Sequence, residues 1–199
     1  MPLPLIKQLL DRLIARENTA GGPFVKPVAA AYIASTRVSG VAPTTLLMVT
    51  DRIVLYPFMP GRSFTMTDVA LNVTTSAASS KAKVVIYSAD TTTGRPSALL
   101  YESAELDTAT TGAKETPAAV TLSAGVVYWV GMKVSGAPTY SGYPASAAEN
   151  INGRTAVTTN ANTLVSQALT YASTTPATWT WSGADITNTS IPCLWFKVA

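Results

Sequence analysis

From about residue 44 onward the chain is a succession of short segments rich in β-branched and aromatic residues, each closed by a cluster of Gly, Pro, Ser, Thr, Asn or Asp. They cover residues 53–58, 64–66, 69–73, 83–87, 120–122, 126–134 and 194–198. No run with helical spacing lies between them, which removes the crossover helices that a parallel sheet needs. What remains is a mainly β chain of antiparallel strands. Many short strands with frequent turns predict a β-sandwich or jelly roll.

The two-residue period of a strand sets which side chains it buries. In residues 126–134 it puts Val126, Tyr128, Val130, Met132 and Val134 on a core face. Val127, Trp129, Gly131 and Lys133 fall on the other face, which the lysine marks as at least partly wet. Phe64 and Met66 alternate in one phase and Val69, Leu71 and Val73 in the other. The pleat must therefore slip near Thr67-Asp68, through a bulge in one bent strand or a break between two. Residues 135–190 are less regular: Asn152-Gly153 is a type I′ hairpin signal, and the rest reads as long loops on one rim of the sheet.

The N-terminus follows a different pattern. Leu3, Leu5, Ile6, Leu9, Leu10, Leu13 and Ile14 recur at three- and four-residue intervals, which is one face of a short amphipathic helix. Pro4 suits its first turn, and Gly21-Gly22-Pro23 ends it and makes a flexible exit. A helix of about 12 residues is marginal alone in water. The stripe of Leu5, Ile6, Leu9, Leu10, Leu13 and Ile14 therefore needs a partner: the chain's own β-domain, another subunit, or a larger structure. The chain divides into residues 1–28, a helix and linker serving as an attachment segment or oligomer interface, and residues 29–199, one β-sandwich domain.

Composition bears on function. The 199 residues include no histidine, the commonest general acid–base at neutral pH and the commonest metal ligand, so a Ser-His-Asp arrangement cannot be built. Glu102, Glu105 and Asp107 are the nearest approach to a glycosidase carboxylate pair, but they read as part of a solvated hairpin. The sequence thus assigns no catalytic, cofactor-binding or metal-ligating residue, and points to a structural or binding protein. Residues 1–62 carry seven basic residues against three acidic, yet no Lys/Arg cluster with interleaved aromatics of the kind a nucleic-acid surface uses. No apolar run approaches the ~18–20 residues of a membrane span. Nucleic acid and membrane are therefore not expected partners. Cys193 sits in an apolar run and reads as a buried, inert thiol. The N-terminus lacks the small-residue cleavage site of a secretory signal, which leads us to expect a chain made in a reducing cytoplasm.

Four aromatic residues stand out as a candidate recognition surface. Trp179 and Trp181 flank Thr180 and share a side in an extended segment, and Tyr140 and Tyr143 lie in another Gly/Pro-rich loop. They either close the open end of the sandwich as core or lid, or offer flat faces to a sugar or protein partner.

One stretch carries a resemblance. It runs Val84-Val-Ile-Tyr-Ser-Ala-Asp-Thr-Thr-Thr-Gly-Arg-Pro-Ser-Ala-Leu-Leu-Tyr101 and continues at Val120-Thr-Leu-Ser-Ala-Gly-Val-Val-Tyr-Trp-Val130. A strand ending in Ile-Tyr leads to a Gly-x-Pro turn and a Leu-Leu strand; a Leu-x-x-Gly turn then opens a Tyr-Trp strand. This pattern resembles β-sandwich domains of tailed-bacteriophage virion proteins, among them tail fibre, appendage and head-decoration components, and also bacterial surface jelly rolls. Ile191-Pro-Cys-Leu-Trp-Phe-Lys-Val-Ala199 is similar to the closing strand of such phage proteins. The resemblance implies a non-enzymatic virion structural protein, assembled in the host cytoplasm. Residues 1–28 would attach it to other virion proteins such as capsid, portal, adaptor or tail. It also implies a homo-oligomer, expected as a trimer, with a host-surface glycan as a further candidate partner. The alternative is a carbohydrate-binding module of a bacterial surface protein.

Overall fold

The computed structural model of the chain describes residues 29–35, 43–145, 164–182, 185–187 and 190–199. The N-terminal helix, with its Leu5, Ile6, Leu9, Leu10, Leu13 and Ile14 stripe, and the Asn152-Gly153 turn lie outside the described residues. The described residues contain no helix and form two antiparallel sheets, with strands numbered along the chain. In the first sheet β1 (Tyr32–Ala34), β14 (Leu194–Val198), β4 (Phe64–Thr75), β10 (Thr139–Tyr143) and β13 (Ile191–Pro192) are hydrogen-bonded in that order. β2 (Thr44–Leu47) adds to β10 and β8 (Gly112–Leu122) to β4. The second sheet runs β12 (Ile186–Thr187), β11 (Leu164–Ala168), β3 (Arg52–Phe58), β9 (Tyr128–Val134), β5 (Lys81–Ala89) and β6 (Pro96–Glu102), with β7 (Leu106–Asp107) on β5.

The two sheets share one core, in a sandwich-like arrangement. Met66, Val69 and Leu71 of β4 and Leu194 and Phe196 of β14 come from the first sheet. They pack in one cluster with Val54 and Tyr56 of β3, Val84 and Ile86 of β5, and Val130 and Met132 of β9. Phe196 stands at its centre, with the Phe58 ring at 5.4 Å and the Phe64 ring at 6.3 Å. Burial alternates cleanly along β14, where Leu194, Phe196 and Val198 point inward and Trp195 and Lys197 outward. The phase slip in β4 is a bulge inside one strand: Lys197 faces Asp68 and Val198 faces Met66, so Thr67 is the extra residue. That extra residue returns Val69, Leu71 and Val73 to the core face on which Phe64 and Met66 lie.

The second sheet departs from simple alternation. All seven residues of β9 are buried, and so are Ile53, Leu55, Val85 and Tyr87 on neighbouring strands. Near-continuous apolar runs of this kind mark strands covered on both faces. The outer cover is a strap of chain, residues 169–182, laid over a second cluster made of Ile53, Leu55, Val85, Tyr87, Trp129, Val165 and the strap's own Trp179. Two expectations are corrected here. The face bearing Trp129, Gly131 and Lys133 is dry, because the strap takes the place of solvent. Val126 is 45% exposed, because β9 begins only at Tyr128. Part of the region read as long rim loops is also strand, since Thr139–Tyr143 bridges β4, β2 and β13 and Leu164–Ala168 pairs with β3.

Gly131 sits where β9 meets β3, and a Cβ built there would lie 1.7 Å from the Val54 carbonyl oxygen and 2.9 Å from the Leu55 Cα. Both are backbone atoms of a strand fixed on its other edge by β11, so the neighbour cannot yield without moving the sheet. Gly131→Ala is expected to lower stability by about 3 kcal/mol or more. Urea unfolding of variant and parent checks this, and equal midpoints would contradict the close approach of the two strands.

Candidate functional site

The strap is held by polar groups of the sheet beneath it. The Leu169 amide donates to the Asp51 carbonyl at 2.9 Å and the Tyr171 amide to the Asp51 carboxylate at 2.8 Å. The Tyr87 hydroxyl donates to the Pro176 carbonyl at 2.7 Å. The Leu99 amide donates to the Ala177 carbonyl at 2.9 Å and the Trp179 amide to the Ser97 carbonyl at 2.8 Å, so the strap runs along the edge of β6 as an irregular extra strand. Lys133, only 1% exposed, donates from Nζ to the Ser173 carbonyl at 2.9 Å and lies 3.3 Å from Glu102 Oε1. The Tyr171 ring covers its ammonium at 5.7 Å.

Glu102 is therefore not the solvated carboxylate the sequence suggested. It joins Lys133 to Lys83, whose Nζ lies 3.0 Å away. Burial, the largest single influence, pushes its carboxyl upward, but Lys83, the neighbouring Thr175 and the Lys133 charge outweigh it and hold the group below the ordinary glutamate value. Burial, and then the charge of Glu105, push the Tyr171 phenol well above its ordinary value. Glu105 itself pairs with Lys81 beside an open groove lined by Ser79, Ser80 and Asp107. In this cluster Glu102 and Glu105 each hold a lysine, and the buried Lys133 holds the strap.

The ion pair generates a directional prediction. Glu102→Ala leaves Lys133 buried beside no carboxylate and is expected to cost about 3 kcal/mol, whereas Lys133→Met keeps the Lys83–Glu102 pair and is expected to cost less. A carboxyl held below its unfolded value stabilises the fold above that value. The contribution is lost as pH falls from about 4.3 through the depressed folded value. Chemical denaturation at neutral pH and at pH 3 checks both points, and an equal cost for the two variants would contradict the assignment.

The four aromatics singled out in the sequence do not converge. Tyr140, 1% exposed, is a core residue of β10, and burial pushes its phenol up to about 12. Tyr143, at the end of the same strand, packs at the margin of that core. Trp179 is 5% exposed and meets Tyr87 edge-on at 5.6 Å; Trp181 meets Trp129 at 6.4 Å and carries the Arg95 guanidinium over its ring at 4.7 Å. Both strap tryptophans point one way, onto the sheet, and the Trp179 indole N–H finds no hydrogen-bond partner among the described residues. Trp179→Ala is expected to lower stability by about 3–5 kcal/mol and Trp181→Ala by less, as thermal unfolding can measure.

The outer face of the first sheet is arranged differently. Tyr32 is 49% exposed, and the outward residues of β8, Ala113, Glu115, Pro117, Ala119 and Thr121, are all exposed. Trp195 lies opposite Ala34 on one side and Ala70 on the other, and Tyr32 lies opposite Lys197. The Tyr32 hydroxyl donates to Glu115, and Lys197 reaches Asp68 at 3.6 Å and Glu115 at 3.7 Å while lying 5.7 Å from the Tyr32 ring centre. The Glu115 contact pushes the Tyr32 phenol upward, and Asp68 first and then Glu115 push the Lys197 ammonium upward. Sequence reasoning passed over Tyr32 and Trp195; the outward phase of Trp195 between Leu194 and Phe196 was the available signal.

Among the described residues no group of three or more His, Cys, Asp or Glu residues is placed to hold a metal ion. No protein-family model matches the chain, and no curated protein matches it.

Proposed function

We propose that the chain is a structural subunit of a tailed-phage virion, of the tail-fibre, appendage or capsid-decoration kind, built on a jelly-roll type of sandwich. The observation that carries this reading is the way the resembling residues map onto the fold. Val84–Tyr101 spans most of β5, a turn at Gly94 and most of β6; Val120–Val130 spans the end of β8, a turn at Gly125 and the start of β9. Gly94 and Gly125 have φ of 70° and 72°, values that disfavour any residue with a side chain, so both glycines of the pattern occupy positions that need them. The strands they join are β9, β5 and β6 at one end of the second sheet and β8 at one edge of the first.

In this proposal the strap-covered sandwich is the projecting body and residues 1–28 attach it to a capsid, portal, adaptor or tail protein. Subunits associate as a trimer. The buried aromatics and paired charges support a scaffold role, because the side chains best suited to chemistry are spent on packing. Antibody raised against the β-domain should decorate purified particles at a defined place on head or tail in negative-stain electron microscopy. Mass spectrometry of the same particles should detect the chain in stoichiometric amount. Particles that lack it would refute the proposal.

A further inference from the structure

The two outer faces of the sandwich differ in kind. That of the second sheet carries an apolar cluster beside the Lys133–Glu102 pair, and the chain covers it with its own strap; that of the first sheet mixes rings with hydrogen-bonding groups, and its outward residues on β8 stay in solvent. A surface buried against protein leaves no charge at its centre unpaired, and under the strap the Lys133 ammonium is paired with Glu102 beside an apolar cluster. The face between β1, β14, β4 and β8 instead places Tyr32, Lys197, Asp68 and Glu115 side by side.

We propose that this face binds a glycan chain of neutral or amino sugars. Tyr32 and Trp195 supply flat apolar surface to the C–H faces of the sugar rings, while Asp68, Glu115, Lys197 and Asn72 hydrogen-bond the hydroxyls. Three observations carry the assignment. First, Trp195 has alanines opposite it on both neighbouring strands, so no bulky residue crowds its ring from directly across either strand. Tyr32 lies on the diagonal from it, about 7–8 Å away by sheet geometry. Second, the polar groups are fixed in advance: Lys197 is held between two carboxylates, Tyr32 donates to Glu115, and Asn72 Nδ2 donates to Ser141 Oγ at 2.8 Å. Groups already ordered by one another lose little freedom when a ligand arrives. Third, two carboxylates against one ammonium leave the patch with a negative balance, which repels an acidic polysaccharide and suits a neutral or cationic one. The outward side chains of β4 from Thr65 to Thr74 extend this strip over about 30 Å, a length suited to a chain rather than a single sugar.

The inference stands apart from the virion reading, since the face belongs to the folded chain wherever the chain works. The test passes the full-length protein over immobilised mannan, β-glucan, chitin oligomers, chitosan and polygalacturonate, and measures retention and affinity. Retention on one or more of the neutral or amino-sugar matrices is expected, with polygalacturonate the weakest. Tyr32→Ala, at an exposed site on a short edge strand, and Trp195→Ala should each weaken binding roughly tenfold or more, while Leu100→Ala on the opposite sheet should leave it unchanged. If Trp195→Ala does not fold, Tyr32→Ala and Glu115→Gln carry the comparison. Retention on none of the five matrices, strongest binding to polygalacturonate, or a folded Tyr32→Ala that binds as tightly as the parent would overturn the proposal. Glycan binding by a chain that is missing from particles would overturn the virion reading alone.

Discussion

A strand buried on both faces needs two covers, and the structure follows from how β9 obtains them. One cover is the first sheet, whose Leu71, Leu194 and Phe196 join the core with Val130 and Met132. The other is the strap, which is a layer without being regular secondary structure. Its residues between Tyr171 and Trp179 are chiefly Ser, Thr, Ala and Pro, so they bring little apolar area of their own. Its backbone carbonyls must be satisfied by the sheet below, since a buried unpaired carbonyl costs about as much as a lost hydrogen bond. Tyr87 and Lys133 meet that need at Pro176 and Ser173. Burying an ammonium for this purpose is tolerable only with a counter-charge at hand, which is why Glu102, at the last position of β6, stands beside it.

How much of this could be read in the sequence depended on whether a strand has one dry face or two. β4 and β14 alternate, and their inward residues, together with the slip near Thr67, follow from period two alone. β9 does not alternate in chemistry, and a lysine at its end looked like a marker of solvent. The error is physical: a lysine carries a long apolar stem and can lie flat in a dry layer when its ammonium meets a carboxylate and a carbonyl. Both partners are remote in sequence, one 31 residues before it and one 40 after. Residues 169–182 read as loop and are irregular, but nothing in a Thr/Ser/Pro run announces that it closes a core. Tyr140 and Tyr143 read as loop because Gly136, Pro138 and Gly142 surround them, whereas in the fold Gly142 serves as a close approach. Its backbone leaves only 2.7 Å between a notional Cβ and the Ile191 carbonyl oxygen, which is where β10 meets β13.

The same distinction between one covered face and two bears on function. Aromatic residues near a Gly/Pro loop carry two meanings that sequence cannot separate, since a ring that stacks on a sugar and a ring that plugs a sandwich look alike in one dimension. The fold separates them by where the covering layer lies. Trp179 belongs to the cover and has spent its ring face on Tyr87. Trp195 points outward from its strand, half-buried, with alanines opposite it on both neighbouring strands.

Edges constrain assembly as faces constrain binding. β8 pairs with β4 alone among the described strands, so no described strand takes its other edge over its eleven residues. A long free edge invites strand addition from another chain unless something blunts it. Here Pro117 interrupts the row of amides in mid-strand, and its carbonyl accepts the Tyr101 hydroxyl at 2.8 Å. Lys114 and Glu115 add charge beside it. A second copy of this chain is therefore poorly placed to extend the sheet along β8. The association proposed for the chain would fall instead to side-chain surfaces such as the exposed Leu47 and Val49 near β2.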